Sequence, residues 1–237
     1  MKINLRSILA GILLVLFLVG VVFFVKRNRP APVLPPQSAV GTLGLKIKGP
    51  SSAPVKIVEY SDFECPSCRN VQKDLQDLFR NYPGKIQLTF KHYPLTSHKW
   101  SVYAHQAAEC MNAQGKFWAY HDKLYDKQTD WASSNVPPVE ILAQYAGELG
   151  ANMDRFGKCM ADVAVTRGIY AEKEEGNQRQ VNATPTFFLG EERFVGPKEI
   201  QERGENAVRK ILGLSLKPVP EKKPEPLVPP PLKGSAQ

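Results

Sequence analysis

The chain has 237 residues, 43% of them hydrophobic, which is enough to bury a sizeable core in one or two domains. Its formal charge is +8, but residues 1–39 carry +5 and residues 215–237 carry +2, leaving about +1 for everything between. The basic balance belongs to the ends, and without a basic face on the folded body a nucleic-acid partner is argued against.

Residues 8–25 are 18 positions without a charge or a proline. At ~1.5 Å per residue they span about 27 Å, close to the thickness of a bilayer core. Lys2 and Arg6 precede the run and Lys26, Arg27 and Arg29 follow it, so charge counting alone does not orient it. An uncleaved signal-anchor is preferred to a cleaved signal peptide. The apolar run is long for the latter, no Ala-x-Ala site follows, and no cysteine stands there for lipid attachment. Both readings put the body across the membrane, whereas the inverted orientation puts it in a reducing cytosol that opposes the chemistry below. The expectation is a single-pass protein of the cytoplasmic (inner) membrane, anchored by residues 1–29, with its folded domain on the extracytoplasmic, periplasmic side. Residues 30–41 are proline-rich and read as a stiff spacer.

Residues 42–213 form the body. Residues 55–60 and 86–91 are short β-branched or aromatic runs bounded by Pro, Gly and Asp, and read as strands. Residues 69–81 read as a helix between them. From about residue 97 to 177 strand signals vanish: Trp100, Tyr103, Ala104, Ala107, Ala108 and Met111 follow the stripe of a packed helix. Further helices are expected at 115–127, 137–149 and 152–177, the last broken near Gly157. Residues 186–189 and 193–195, each closed by glycine, read as a hairpin, and 197–212 as a helix opened by Pro197. The order of elements is that of an α/β sheet interrupted by an all-helical insertion. Residues 214–237, with seven prolines from Pro218 onward, read as a disordered or extended tail.

Four cysteines are present, at 65, 68, 110 and 159. Cys65-Pro66-Ser67-Cys68 follows a predicted strand and opens a helix. Two cysteines three apart on a first helical turn share a face and can close and open a disulfide without moving the backbone. Cys65, at the positive end of the helix dipole, is expected to be the attacking thiolate, with Cys68, a turn deeper, as the resolving thiol. A structural zinc site needs two more ligands close by, and a purely structural bridge over so short a loop constrains little, so both are weaker readings. His92, His98, His105 and His121 form no metal-binding spacing, and no metal is expected.

Val58-Glu59-Tyr60-Ser61-Asp62-Phe63-Glu64-Cys65-Pro66-Ser67-Cys68, Ala107-Ala108-Glu109-Cys110 with Gly115-Lys116-Phe117-Trp118-Ala119-Tyr120-His121-Asp122, and Ala183-Thr184-Pro185-Thr186-Phe187-Phe188 together resemble the DsbA-like family of thiol:disulfide oxidoreductases. Three motifs in order over residues 40–212 make the resemblance specific. It implies a thioredoxin-like fold with a helical insertion and a cis-proline turn at Thr184-Pro185 that faces the cysteines and binds substrate backbone. It also implies a buried proton-relaying acid at Glu59 and a structural disulfide between Cys110 and Cys159, although two free buried cysteines stay open as the alternative. One departure is that Pro66-Ser67 lacks the basic residue found between the cysteines of the strongest oxidants of the family, and Glu64 adds a negative charge beside Cys65.

The function expected is an oxidase that donates the Cys65–Cys68 disulfide to reduced or misoxidised secreted and membrane proteins. It needs no cofactor beyond that disulfide and is reset by a membrane redox partner. A reductase or isomerase of the same fold is the alternative, and a non-catalytic chaperone or binding module stands further off.

Overall fold

A computed structural model describes residues 43–218. The expected anchor, the proline-rich spacer and most of the proline-rich tail lie outside the described residues. Among the described residues no helix is long and apolar enough to cross a membrane.

Five strands form one sheet in the order β1-β3-β2-β4-β5: β1 Ile47–Lys48, β2 Val55–Ser61, β3 Ile86–His92, β4 Thr186–Leu189 and β5 Glu192–Val195. Strands β2 and β3 are parallel, and the other pairs are antiparallel. A parallel pair cannot be joined by a tight turn. Here the crossover is made by α1 Pro66–Asn70 and α2 Gln72–Asn81. The helix expected from residue 69 thus begins at Pro66 and is interrupted at Val71. β2 lies at the centre of the sheet, with Val55, Ile57, Glu59 and Tyr60 all buried. One face of the sheet packs Val55, Ile57, Leu88, Phe187 and Phe194 against Val71, Leu75 and Leu78 of the crossover and against Ile200 and Val208 near the C-terminus.

The insertion consists of α3 Ser101–Asn112, α4 Phe117–Asp126, α5 Gln128–Ala132, α6 Val139–Glu148, α7 Met153–Met160 and α8 Val163–Gln178. Its core gathers Ala104, Ala107, Ala108 and Met111 with Phe117, Tyr120, Leu124, Trp131 and Leu142, and joins Phe63, Phe90 and both active-site cysteines. The predicted break near Gly157 is misplaced. Gly157 stays inside α7, and the chain breaks at Ala161 and Asp162, where the Asp162 carboxylate accepts from the Ala164 N–H at 2.8 Å and caps α8. α5 and the two-residue β1 were not anticipated. The helix expected over 197–212 is α9 Gly196–Glu199, a π turn at Ile200–Gly204 and α10 Glu205–Ile211. Gly176 lets α8 lie against the sheet, since a Cβ there would stand 2.9 Å from the Tyr93 ring and 3.0 Å from that of Tyr60.

Candidate active site

Strand β2 ends at Ser61, and Asp62-Phe63-Glu64 carry the chain to Cys65, which has extended backbone and forms the N-cap of α1. Pro66 occupies the first helical position, where a missing N–H costs nothing. The Cys65 N–H donates to the Asp62 carbonyl at 3.1 Å, and the Cys65 carbonyl accepts from the N–H groups of Cys68 and Arg69. Cys65 and Cys68 are free thiols, the reduced form of the pair. Cys65 is 6% exposed and Cys68 is fully covered, so only Cys65 presents a sulfur to a partner.

The two sulfurs differ in charge as well as access. The Cys65 thiol is pushed down to about 5 by the hydrogen bond from Cys68, against the effect of its own burial, with help from Thr184 and the N–H groups of Cys68 and Ser67. Burial drives Cys68 well above the usual thiol range, and the negative charge on Cys65 adds to the rise. At neutral pH the pair is one thiolate and one thiol.

Opposite Cys65 runs the segment entering β4. The Thr184–Pro185 peptide bond is cis. The Cys65 Sγ lies 3.5 Å from the Thr184 carbonyl oxygen, and the buried Thr184 Oγ1 has no hydrogen-bond partner. The Pro185 carbonyl accepts from the Gly196 N–H at 2.8 Å, which ties this turn to the end of β5.

Glu59 lies on β2, six residues before Cys65, paired in register with Phe90 on one side and Phe187 on the other. It is fully buried and neither carboxyl oxygen has a hydrogen-bond partner. Burial raises its pKa from 4.5 to about 7, with Ser61 and Gln72 offsetting part of the rise. The Ser61 Oγ is 2.9 Å from the Tyr125 hydroxyl, itself buried and driven far up by burial and by the charges of Cys68 and Glu59. A pKa near neutrality leaves this carboxyl able to hold or release a proton there.

A family model described as thioredoxin matches residues 45–206. The chain belongs to the thioredoxin family. Its fold is DsbA-like. It superposes on α-DsbA1 of Wolbachia pipientis with a TM-score of 0.63 at 21% identity, covering 79% of this chain and 95% of that one. It superposes on oxidised BdbD of Bacillus subtilis with a TM-score of 0.59 at 23% identity, covering 71% and 94%. Among curated proteins, the Na(+)/H(+) antiporter NhaA 3 of Salinispora tropica is 32% identical over 180 residues, or 76% of this chain. The match spans 26% of that antiporter, about a quarter of the length of the curated relatives.

Several residues of this thioredoxin-family site carried no signal in the sequence. Gln128 of α5 donates from Nε2 to the carbonyls of Phe63 at 2.7 Å and Cys65 at 3.0 Å, so the insertion holds the active-site loop directly. Gln72 does the same for the Cys68 carbonyl at 3.0 Å. Glu64, expected to place a negative charge beside Cys65, also accepts at Oε2 from the Trp100 N–H at 2.6 Å, at the start of α3. Asp62, three residues before Cys65, is fully buried and receives the Glu64 and Leu95 N–H groups, the Ser101 hydroxyl and His98 Nδ1, all within 2.9 Å. His105 Nε2 stands 3.7 Å from the same carboxylate. From there a buried chain runs through His92 (Nδ1 to Nδ1, 2.5 Å) to Glu109 at 2.7 Å, and then through Lys46 to Glu172 at 2.9 Å. His92 is held neutral by its burial and by the neighbouring Lys46.

His121 packs against Phe63 and Phe90. Among the described residues no cluster of His, Cys, Asp and Glu is arranged to hold a metal ion. Away from the cysteine pair, Cys110 of α3 and Cys159 of α7 form a disulfide with Cα atoms 5.6 Å apart.

Proposed function

We infer that the chain is an extracytoplasmic thiol:disulfide oxidoreductase working as an oxidase, which donates the Cys65–Cys68 disulfide to reduced secreted or membrane proteins. The observation that carries this reading is the asymmetry of the pair. A thiolate held at Cys65 stabilises the reduced form, and stabilising the reduced form makes the disulfide a stronger oxidant.

A substrate thiolate attacks the Cys65 sulfur of the oxidised protein. The Cys65–Cys68 bond breaks, and Cys68 leaves as a thiolate that takes a proton, with Glu59 as its source. The second substrate thiolate then attacks the mixed disulfide at its own sulfur and expels Cys65, a good leaving group because its thiolate is stable. Two electrons pass from the substrate dithiol, which ends as a disulfide. The protein ends as the Cys65 thiolate and the Cys68 thiol, and one proton is released. The edge at Thr184-Pro185 supplies the backbone beside which an extended substrate lies.

The reaction uses no cofactor beyond the disulfide itself, and a membrane redox partner reoxidises the pair. The Cys110–Cys159 bond supports an oxidising compartment, and the apolar run at 8–25 supports attachment to the cytoplasmic membrane with the folded domain on the extracytoplasmic side. Cation antiport belongs to the names of the longer relatives and forms no part of this reading.

The test is the equilibrium of the Cys65/Cys68 pair of the purified protein against glutathione. A potential well above the thioredoxin value of ~−270 mV supports an oxidase. A value near or below it sinks that reading in favour of a reductase of the same fold.

A further inference from the structure

Cys65 is aimed by a turn built around Asp62. The Asp62 carbonyl accepts from the Cys65 N–H at 3.1 Å, and its Oδ1 accepts from the Glu64 N–H at 2.9 Å. Oδ1 also accepts from the Ser101 hydroxyl, and Oδ2 from the Leu95 N–H and His98 Nδ1. With donors on both oxygens the group is a carboxylate, and it is fully buried. Burial alone favours the neutral acid. Contacts with His105, then with His98, overcome that and hold Asp62 far below the usual carboxylate range. His98 approaches with a side chain 20% exposed, whereas His105 of α3 is sealed, with Nε2 3.7 Å from Asp62 Oδ1 and no hydrogen-bond partner.

The hydrogen bonds behind His105 place its protons. Glu109 Oε1 accepts from Lys46 Nζ at 2.7 Å and Oε2 from Asn112 Nδ2 at 3.2 Å, the surroundings of a carboxylate. His92 Nε2 is 2.7 Å from the same Oε1, so this nitrogen must carry a hydrogen and donate it. The Nδ1 atoms of His92 and His105 stand 2.5 Å apart, and a second hydrogen must lie between them. The last ring nitrogen, His105 Nε2, faces the Asp62 carboxylate. A lone pair there would be repelled by the anion, and a hydrogen there turns the contact into an ion pair. That makes three hydrogens on two imidazoles, one more than two neutral rings hold. Burial and the nearby Lys46 disfavour the charge on His92 and leave it to His105.

We propose that His92 and His105 form a singly protonated imidazole dyad, a buried cation that balances Asp62 on one side and Glu109 on the other, with His105 as a positioning residue of the active-site turn. His105 acts through Asp62: it keeps the carboxylate ionised and so keeps the turn before Cys65 closed. Its effect on reaction rate rests on the thiol-exchange reading of the cysteine pair, whereas the proton count does not.

The first measurement is a nitrogen–proton NMR spectrum of the unsubstituted protein at neutral pH. Three ring N–H hydrogens are expected on His92 and His105 together, and one per ring would overturn the proposal whether or not any variant folds. The second measurement is His105→Gln, alone and combined with Asp62→Asn. Alone, it should speed hydrogen exchange at the Glu64 and Cys65 amides about tenfold and slow disulfide transfer to a dithiol peptide on the order of tenfold in kcat/KM. In the Asp62→Asn background, where no carboxylate awaits a counter-charge, the same substitution should change both readouts little. Effects of equal size in the two backgrounds would show that His105 acts by packing and would overturn the proposal. Absence of disulfide transfer in the unsubstituted protein would sink the thiol-exchange reading, while the NMR and amide-exchange results still decide the dyad.

Discussion

The Sγ of Cys65 lies 3.5 Å from the carbonyl oxygen of Thr184, a residue 119 positions further along the chain. As a thiol, Cys65 donates to that carbonyl. As a thiolate it needs donors, and the buried hydroxyl of the same Thr184 has no other partner. Thr184→Val keeps the shape and removes the hydroxyl. A hydrogen bond to a charged group contributes about 1.5–3 kcal/mol, so the Cys65 midpoint is expected to rise from about 5 by roughly one pH unit or more. Ultraviolet titration of the thiolate checks this, and an unmoved midpoint would place the hydroxyl away from the sulfur.

The attacking and resolving roles separate by substitution. Cys65→Ser is expected to reduce oxidation of a dithiol peptide to the uncatalysed rate. Cys68→Ala leaves an attacking sulfur with nothing to resolve it, so a mixed disulfide with the peptide should accumulate and be visible by mass spectrometry. The same variant should raise the Cys65 midpoint, because the hydrogen bond from Cys68 is the largest influence lowering it.

Glu59 gives stability a pH signature. Its pKa in the folded chain is raised from 4.5 to about 7, so the fold holds a proton that the unfolded chain releases. The contribution is full below about pH 4.5 and is lost as pH rises to about 7, a change on the order of 3 kcal/mol. Glu59→Gln should lack this slope, matching the unsubstituted protein in acid and exceeding it in stability at pH 8. Urea unfolding of the reduced proteins across that range measures the difference, and parallel curves would show that the carboxyl is not desolvated.

The Cys110–Cys159 bond closes a separation of 49 residues and is expected to stabilise by up to ~4 kcal/mol through loop closure. Replacing both cysteines with alanine should lower the unfolding midpoint and leave the Cys65 thiolate midpoint unchanged. A shift in that titration would mean that the insertion transmits strain to the site.

Local signals were readable in the sequence and distant ones were not. The cysteine pair announced itself by a strand-to-helix setting, and the stripe from Trp100 to Met111 has the period of α3. Asp62 reads as a loop acid, because its partners Leu95, His98 and Ser101 lie 33 to 39 residues away and no pattern links them. Lys46 and Glu172 are 126 residues apart and meet only through folding. Gln128 belongs to a helix of five residues, too short to show an amphipathic period, yet it carries two of the bonds that hold the active-site loop.

Cys65 is almost covered, with Thr184 against its sulfur and Gln128 gripping its carbonyl. A cysteine inside a finished fold cannot bring its own sulfur into so narrow an opening without unravelling, whereas one on a loose, extended segment can be laid along the Thr184-Pro185 edge. On the proposed oxidase reading, clients would be selected by the state of their chain rather than by the residues around the cysteine, and each would escape further attack by folding, so that the end of its maturation ends the reaction.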